Sequence, residues 1–208
     1  MEYLRDPAAI YAQSFATIRE EIRLDSVPAS LHDVAIRMVH ASGMIDLIDD
    51  FAAHAELVPA AQNALRQGAP VFCDCEMVRS GITSKAIPAG GEVIVTLNDA
   101  RIPVRAAQLG TTRSAAAVEF WADRLAGAVI VIGNAPTALF HLLEMLDAGA
   151  PLPAAIIATP VGFVGAVESK VALTENSRGV PFVTIKGRRG GSAMASAAFN
   201  AIGLGMAQ

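Results

Sequence analysis

Apolar positions along this chain change their rhythm near residue 68. From Tyr3 to about Arg23, Ile10, Phe15, Ile18 and Ile22 fall close to helical spacing behind an Asp6-Pro7 start signal. A second helix is predicted from about Leu31, because Ser30 and Asp33 have capping-box spacing, with Gly43 as its stop. Helices from Asp46 to about His54 and from Pro59 to Gln67 follow, the latter closed by Gly68. Beyond Gly68 the apolar residues gather into five short runs: Val71–Cys75, Glu92–Leu97, Ala128–Ile132, Ala154–Ala158 and Phe182–Ile185. Most lack alternation, as strands covered on both faces do. Helical spans lie among them at Thr112–Leu125, Pro136–Ala148, about Val164–Leu173, and after Gly191.

Strands alternating with helices predict a parallel sheet with right-handed crossovers. The expected fold is α/β, a three-layer α/β/α, flavodoxin-like domain. It has a parallel five-stranded sheet and an N-terminal helical extension. Residues 1–67 are the mainly helical part and 68–208 the α/β core of a single domain. Ligands of such sheets sit at the carboxyl ends of the strands. Here those ends are Asp74–Glu76, Asn98-Asp99, Gly133-Asn134 and Thr159–Gly162.

Composition narrows the function classes. The 208 residues are 53% hydrophobic but only 5% aromatic, so the core is mainly Ala, Val, Ile and Leu. A net charge of −4 lacks the basic footprint of a general nucleic-acid binder. No apolar stretch has the length of a membrane span. The start, Met-Glu-Tyr-Leu-Arg-Asp-Pro, lacks the basic beginning and apolar core of a signal peptide, so a cytoplasmic protein is expected. Cys73 and Cys75 flank Asp74 without a second Cys/His cluster, which reads as buried free thiols and no metal site.

Several segments carry possible chemistry. His40 falls in the last turn before Gly43, where the helix dipole favours a cation; it is either a proton donor or a cap on the helix carbonyls. Arg113 in Gly110-Thr-Thr-Arg-Ser lies in a first helical turn, where a cation is disfavoured unless an anionic ligand meets it; the alternative is an exposed arginine. Lys186-Gly-Arg188-Arg189-Gly-Gly-Ser192 resembles an anion cradle, or is an ordinary basic loop. Pro160-Val-Gly-Phe-Val-Gly165, followed by Glu168-Ser169-Lys170, could floor a flat apolar ligand or serve as a tight turn. Asn134 reads as the cap of the next helix and Pro136 as its first turn. No serine-hydrolase order, His-Glu-x-x-His motif or glycine-rich nucleotide turn is present, which disfavours a nucleophilic hydrolase, a zinc enzyme and an S-adenosylmethionine methyltransferase.

In order along nearly the whole chain, these segments resemble the precorrin-8X methylmutase and cobalt-precorrin-8 methylmutase family. The resemblance runs through Ile10-Tyr-Ala-Gln-Ser-Phe, Arg37-Met-Val-His-Ala-Ser-Gly, Cys73-Asp-Cys-Glu-Met-Val and Gly110-Thr-Thr-Arg-Ser-Ala-Ala-Ala. It continues through Gly133-Asn-Ala-Pro-Thr-Ala-Leu-Phe, Pro160-Val-Gly-Phe-Val-Gly, Glu168-Ser-Lys, Glu175-Asn-Ser and Gly187-Arg-Arg-Gly-Gly-Ser-Ala-Met. Two positions depart: Thr111 stands where the family commonly has Asn, and Cys75 where it commonly has Ala.

The resemblance implies an isomerase of corrin synthesis that moves a methyl group from C-11 to C-12 of precorrin-8X, giving hydrogenobyrinate. It implies precorrin-8X or cobalt-precorrin-8 as the ligand, no separate cofactor, and a homodimer with its active site near the interface. His40 takes the position of the family's proton source, and Ser14, Thr83 and Arg113 match family pocket positions. A large, mostly apolar macrocycle with carboxylate arms needs an apolar floor and a cationic rim, for which Arg113, Lys170, Arg188, Arg189 and Ser192 are the candidates. A tetrapyrrole carrier of the same shape, without a catalytic group, is the alternative.

Overall fold

Runs of apolar residues without alternation become strands that bury both faces. In a computed structural model describing residues 1 and 3–207, β4 (Val129–Ile132) shows how this works. Val129 and Val131 enter one apolar cluster, and Ile130 and Ile132 enter another on the opposite face. β2 (Val71–Cys73) divides in the same way, with Val71 and Cys73 on one side and Phe72 on the other. β5 (Ala155–Ala158) sends Ala155 and Ile157 to the first cluster and Ile156 and Ala158 to the second. With β3 (Val93–Val95) and β6 (Phe182–Ile185) these are the five expected parallel strands.

The sheet has six strands, not five. Phe51–Ala53, taken above for the end of a helix from Asp46 to His54, forms β1 and pairs antiparallel with β6. Residues Ile45–Asp50 before it are a 3-10 turn. The strand order is β1-β6-β5-β4-β2-β3. Without β1, the five parallel strands follow the flavodoxin-like order, with the reversal of direction between β2 and β4.

Helices cover both faces. On the first lie α1 (Pro7–Glu21), α2 (His32–Ser42), α3 (Leu57–Arg66), α4 (Glu76–Gly81) and α9 (Ser192–Leu204), which contribute Ile18, Met38, Leu65, Val78 and Phe199. On the second lie α6 (Arg113–Val118) with a following 3-10 turn at Glu119–Arg124, α7 (Pro136–Asp147) and α8 (Ala166–Glu175). They bring Val118, Trp121, Leu139 and Leu173. Between α4 and α6 in the chain, α5 (Ile102–Leu109) packs beside α6 through Ile102, Ala106 and Ala116. No helix of the described residues is long and apolar enough to cross a membrane.

Candidate active site

α1 and α2 meet so as to present His40. Asp6 caps α1, accepting from the Ala9 amide at 3.0 Å, and Pro7 opens its first turn. α2 ends as expected: Gly43 adopts φ 68°, and its amide donates to the Val39 carbonyl at 2.8 Å. The start of α2 differs from expectation. Ser30 lies in a 3-10 turn and donates to the Ala55 carbonyl at 3.1 Å, so it forms no capping box.

His40 is exposed at the end of α2. Its Nδ1 lies 2.8 Å from Ser14 Oγ on α1. The Phe15 ring meets it edge-on at 5.0 Å, and the Tyr11 ring lies tilted at 5.5 Å. Beside it is an open cavity of about 440 Å³, lined by Leu4, Ile10, Ser14, Thr17, Ile18, Val39, Gly43 and Ile45. Ser14 and His40, both singled out from the sequence, are thus brought together.

Met44, between Gly43 and Ile45, lines a second cavity of about 230 Å³. Its other walls are Val161, Gly162, Phe163, Arg188, Arg189 and Gly190, from the loops after β5 and β6, and Met194 of α9. The two cavities therefore flank one segment of chain. The Lys186–Ser192 loop is pressed against the end of β5: the Gly191 amide donates to the Thr159 carbonyl at 2.7 Å. A Cβ at Gly190 would come within 2.3 Å of the same oxygen, so only glycine fits there. Arg188 is exposed, with its guanidinium 5.3 Å from the Phe163 ring centre. Phe163 and Val164 are themselves 85% and 89% exposed.

The cations differ in what they can offer. Arg189 is committed: its Nη1 donates to Asp46 at 2.8 Å and its Nη2 to Asp50 at 2.6 Å. Lys170 is not a rim cation. It is 1% exposed, and its Nζ donates to the Arg189 carbonyl at 2.7 Å. Burial pulls its pKa down to about 8, against the nearby charge of Asp50. Arg113 does stand in the first turn of α6 and is exposed, resting on the Leu97 carbonyl at 3.2 Å beyond β3. Ser192 opens α9, with Oγ 3.6 Å from the Cys75 sulfur. Thr83 lies elsewhere. Its amide is held by Asn200, roughly 12 Å down the axis of α9 from Ser192, and its neighbours Ile82 and Ser84 line a separate cavity.

Sequence reading missed the roles of five residues. Asp74, not Asn134, caps the start of α7: its carboxylate accepts from the amides of Gly133, Asn134 and Ala135 at 3.0, 2.9 and 2.8 Å. A carboxylate between two cysteines in an apolar run was the available signal. Asp46 and Asp50, the partners of Arg189, were hidden in the span read as helix. Tyr11 and Phe15 around His40 could have been found from the spacing of α1. Cys73 and Cys75 are buried free thiols, as expected. Among the described residues no group of three His, Cys, Asp or Glu side chains is arranged to hold a metal ion.

The chain matches the family model for precorrin-8X methylmutase, CbiC, over residues 9–204. It is 56% identical to the precorrin-8X methylmutase of Pseudomonas aeruginosa over 97% of each chain. It is 40% identical to the cobalt-precorrin-8 methylmutase of Salmonella typhimurium, again over 97% of each. The crystal structure of a precorrin-8X methylmutase from Thermus thermophilus superposes with a TM-score of 0.85 at 32% identity, covering 94% of each chain.

Proposed function

The chain belongs to the precorrin-8X methylmutase family of cobalamin-pathway isomerases, and from that premise we propose that it moves a methyl group from C-11 to C-12 of precorrin-8X with His40 as the proton donor. The observation that carries the role of His40 is its 2.8 Å contact with Ser14 at the wall of an apolar cavity. In the imidazolium form Nδ1–H donates to Ser14 Oγ, which leaves Nε2–H to meet the macrocycle. Substrate and product are isomers. The protein must therefore deliver a proton, take it back, and hold the ring in the conformation from which the methyl group migrates.

The apolar walls suit the ring, and Arg113, Arg188 and Ser192 suit its carboxylate arms. Lys170 supports that rim from behind, and Arg189 lines the second cavity with its guanidinium already paired to Asp46 and Asp50. A macrocycle with several arms is larger than either cavity, and Tyr3, Leu4, Ile10, Tyr11, Phe163 and Val164 leave apolar surface open around them. A second copy of the chain covering that surface accounts for both features and makes the assembly a homodimer with its site near the interface. Thr83 would then serve a site only across such an interface. A cytoplasmic location goes with this reading. The carrier reading gains nothing from the comparisons, whose named relatives are methylmutases.

An absorbance time course with precorrin-8X tests the proposal. Wild-type protein converts it, and His40→Ala lowers the single-turnover rate by about 10²–10⁴-fold. An unchanged rate in the variant removes His40 from the chemistry. No conversion of precorrin-8X or cobalt-precorrin-8 by the wild type removes the isomerase assignment.

A further inference from the structure

A lysine buried among apolar side chains is costly, and a methionine would fill the same space without a charge to desolvate. Lys170 is among the largest fully buried side chains, yet its Nζ reaches a single protein acceptor among the described residues, the carbonyl of Arg189. That carbonyl belongs to the loop lining the second cavity. The side chain of the same residue is clamped by Asp46 and Asp50, in the turn directly after Ile45 of the His40 cavity. Arg189 is thus held at both its backbone and its side chain. Among the described residues its neighbour Arg188 has one hydrogen bond, its carbonyl accepting from the Gly162 amide at 3.2 Å. The Arg188 guanidinium lies over Phe163 with no salt-bridge partner among the described residues.

We infer that Lys170 is a positioning residue for Arg188: from beneath the loop it fixes the backbone that presents the Arg188 guanidinium, and through Arg189, Asp46 and Asp50 it ties that loop to the wall of the His40 cavity. The inference rests on the methylmutase reading of the site. A guanidinium that meets a carboxylate arm gains most when its backbone is already fixed, because little freedom is then lost on binding. The ammonium–carbonyl bond is charge-assisted and shielded from water, which suits a fixed tether.

Two measurements on Lys170→Met test this. The first needs no substrate: hydrogen exchange of the Gly162 and Gly191 amides, which close the loop onto the end of β5. Exchange there should rise about tenfold or more, with α8 and β6 unchanged. The second is kinetic. KM for precorrin-8X should rise about tenfold with kcat within about twofold, and Arg188→Gln should add little in the Lys170→Met background. Lys170→Gln, which keeps a donor, should recover part of the loss.

Unchanged exchange, faster exchange spread through α8, or fully additive effects of the two substitutions would overturn the positioning role. If Lys170→Met does not fold, Lys170→Gln, whose shorter neutral amide makes at most a weaker bond to the Arg189 carbonyl, is read in the same two ways, with a smaller rise expected in each and no rise in either overturning the role. If wild-type protein converts neither substrate, the functional assignment fails, while the exchange measurement still decides whether Lys170 orders the loop.

Discussion

Asp74 spends both carboxylate oxygens on the start of α7, at the point where the strand order reverses. In open α/β sheets that crevice is where an anionic ligand is held by free amides. Here a side chain 3% exposed fills it. Burial pushes the carboxyl pKa up, and the three N–H groups pull it back. Asp74→Ala would leave three amides, two of them buried, without an acceptor, for which we expect a loss of about 3–5 kcal/mol in urea unfolding. Asp74→Asn keeps the shape and loses only part of the acceptor set, so its cost should be about 1–3 kcal/mol. A midpoint unchanged in both variants would mean the amides find other partners. Sequence alone gave this cap to Asn134 because it adjoins the helix, whereas the actual acceptor lies 60 residues upstream of that amide. The same distinction separates His40 from Lys170. The position of His40 follows from Gly43 three residues on, a local relation. The depth of Lys170 is set by how α8 packs against the loop after β6, and a charged helical residue reads as exposed until that packing is known.

α2 shows an element whose end is fixed by one backbone conformation. Gly43 sits at φ 68° with no atom within 4 Å of where a Cβ would stand, so alanine there meets backbone strain and no clash. Gly43→Ala should cost about 1 kcal/mol, read as a fall in Tm of about 2–4 °C. Because the strained residue is three positions from His40, a parallel loss of turnover would indicate that the helix end also sets the imidazole. Central strands were legible because burial on two faces leaves unbroken apolar runs such as Val129–Ile132. β1 was not. Phe51–Ala53 is three residues long and becomes a strand only by pairing antiparallel with β6, more than a hundred residues away, which local spacing cannot register. α4 at Glu76–Gly81 and the helix at Ile102–Leu109 escaped for a related reason: both are too short to repeat a helical pattern.

Global stability records these burials as a dependence on pH. Lys170 has a pKa of about 8 in the folded protein against 10.5 in an open chain. Below pH 8 both states hold the proton, and the fold bears the cost of the buried charge. Between 8 and 10.5 the unfolded chain binds more protons than the folded one, so this residue makes stability rise with pH. The two cysteines act in the opposite sense. Burial raises both thiol pKa values, with the charge of Asp74 adding to the effect. Above their ordinary value of 9.0 the unfolded chain therefore loses thiol protons that the folded protein keeps, and stability falls. Wild-type stability alone mixes the two trends, but its difference from Lys170→Met isolates the lysine. That difference should move toward the wild type by about 2 kcal/mol from pH 7 to pH 9.5, measured by urea unfolding at each pH. A difference independent of pH would mean that Lys170 titrates alike in the folded and unfolded protein. The tether to Arg189 would then hold a lysine whose burial carries no electrostatic cost, and the reason for a cation beneath the Arg188 loop would have to be sought in its shape.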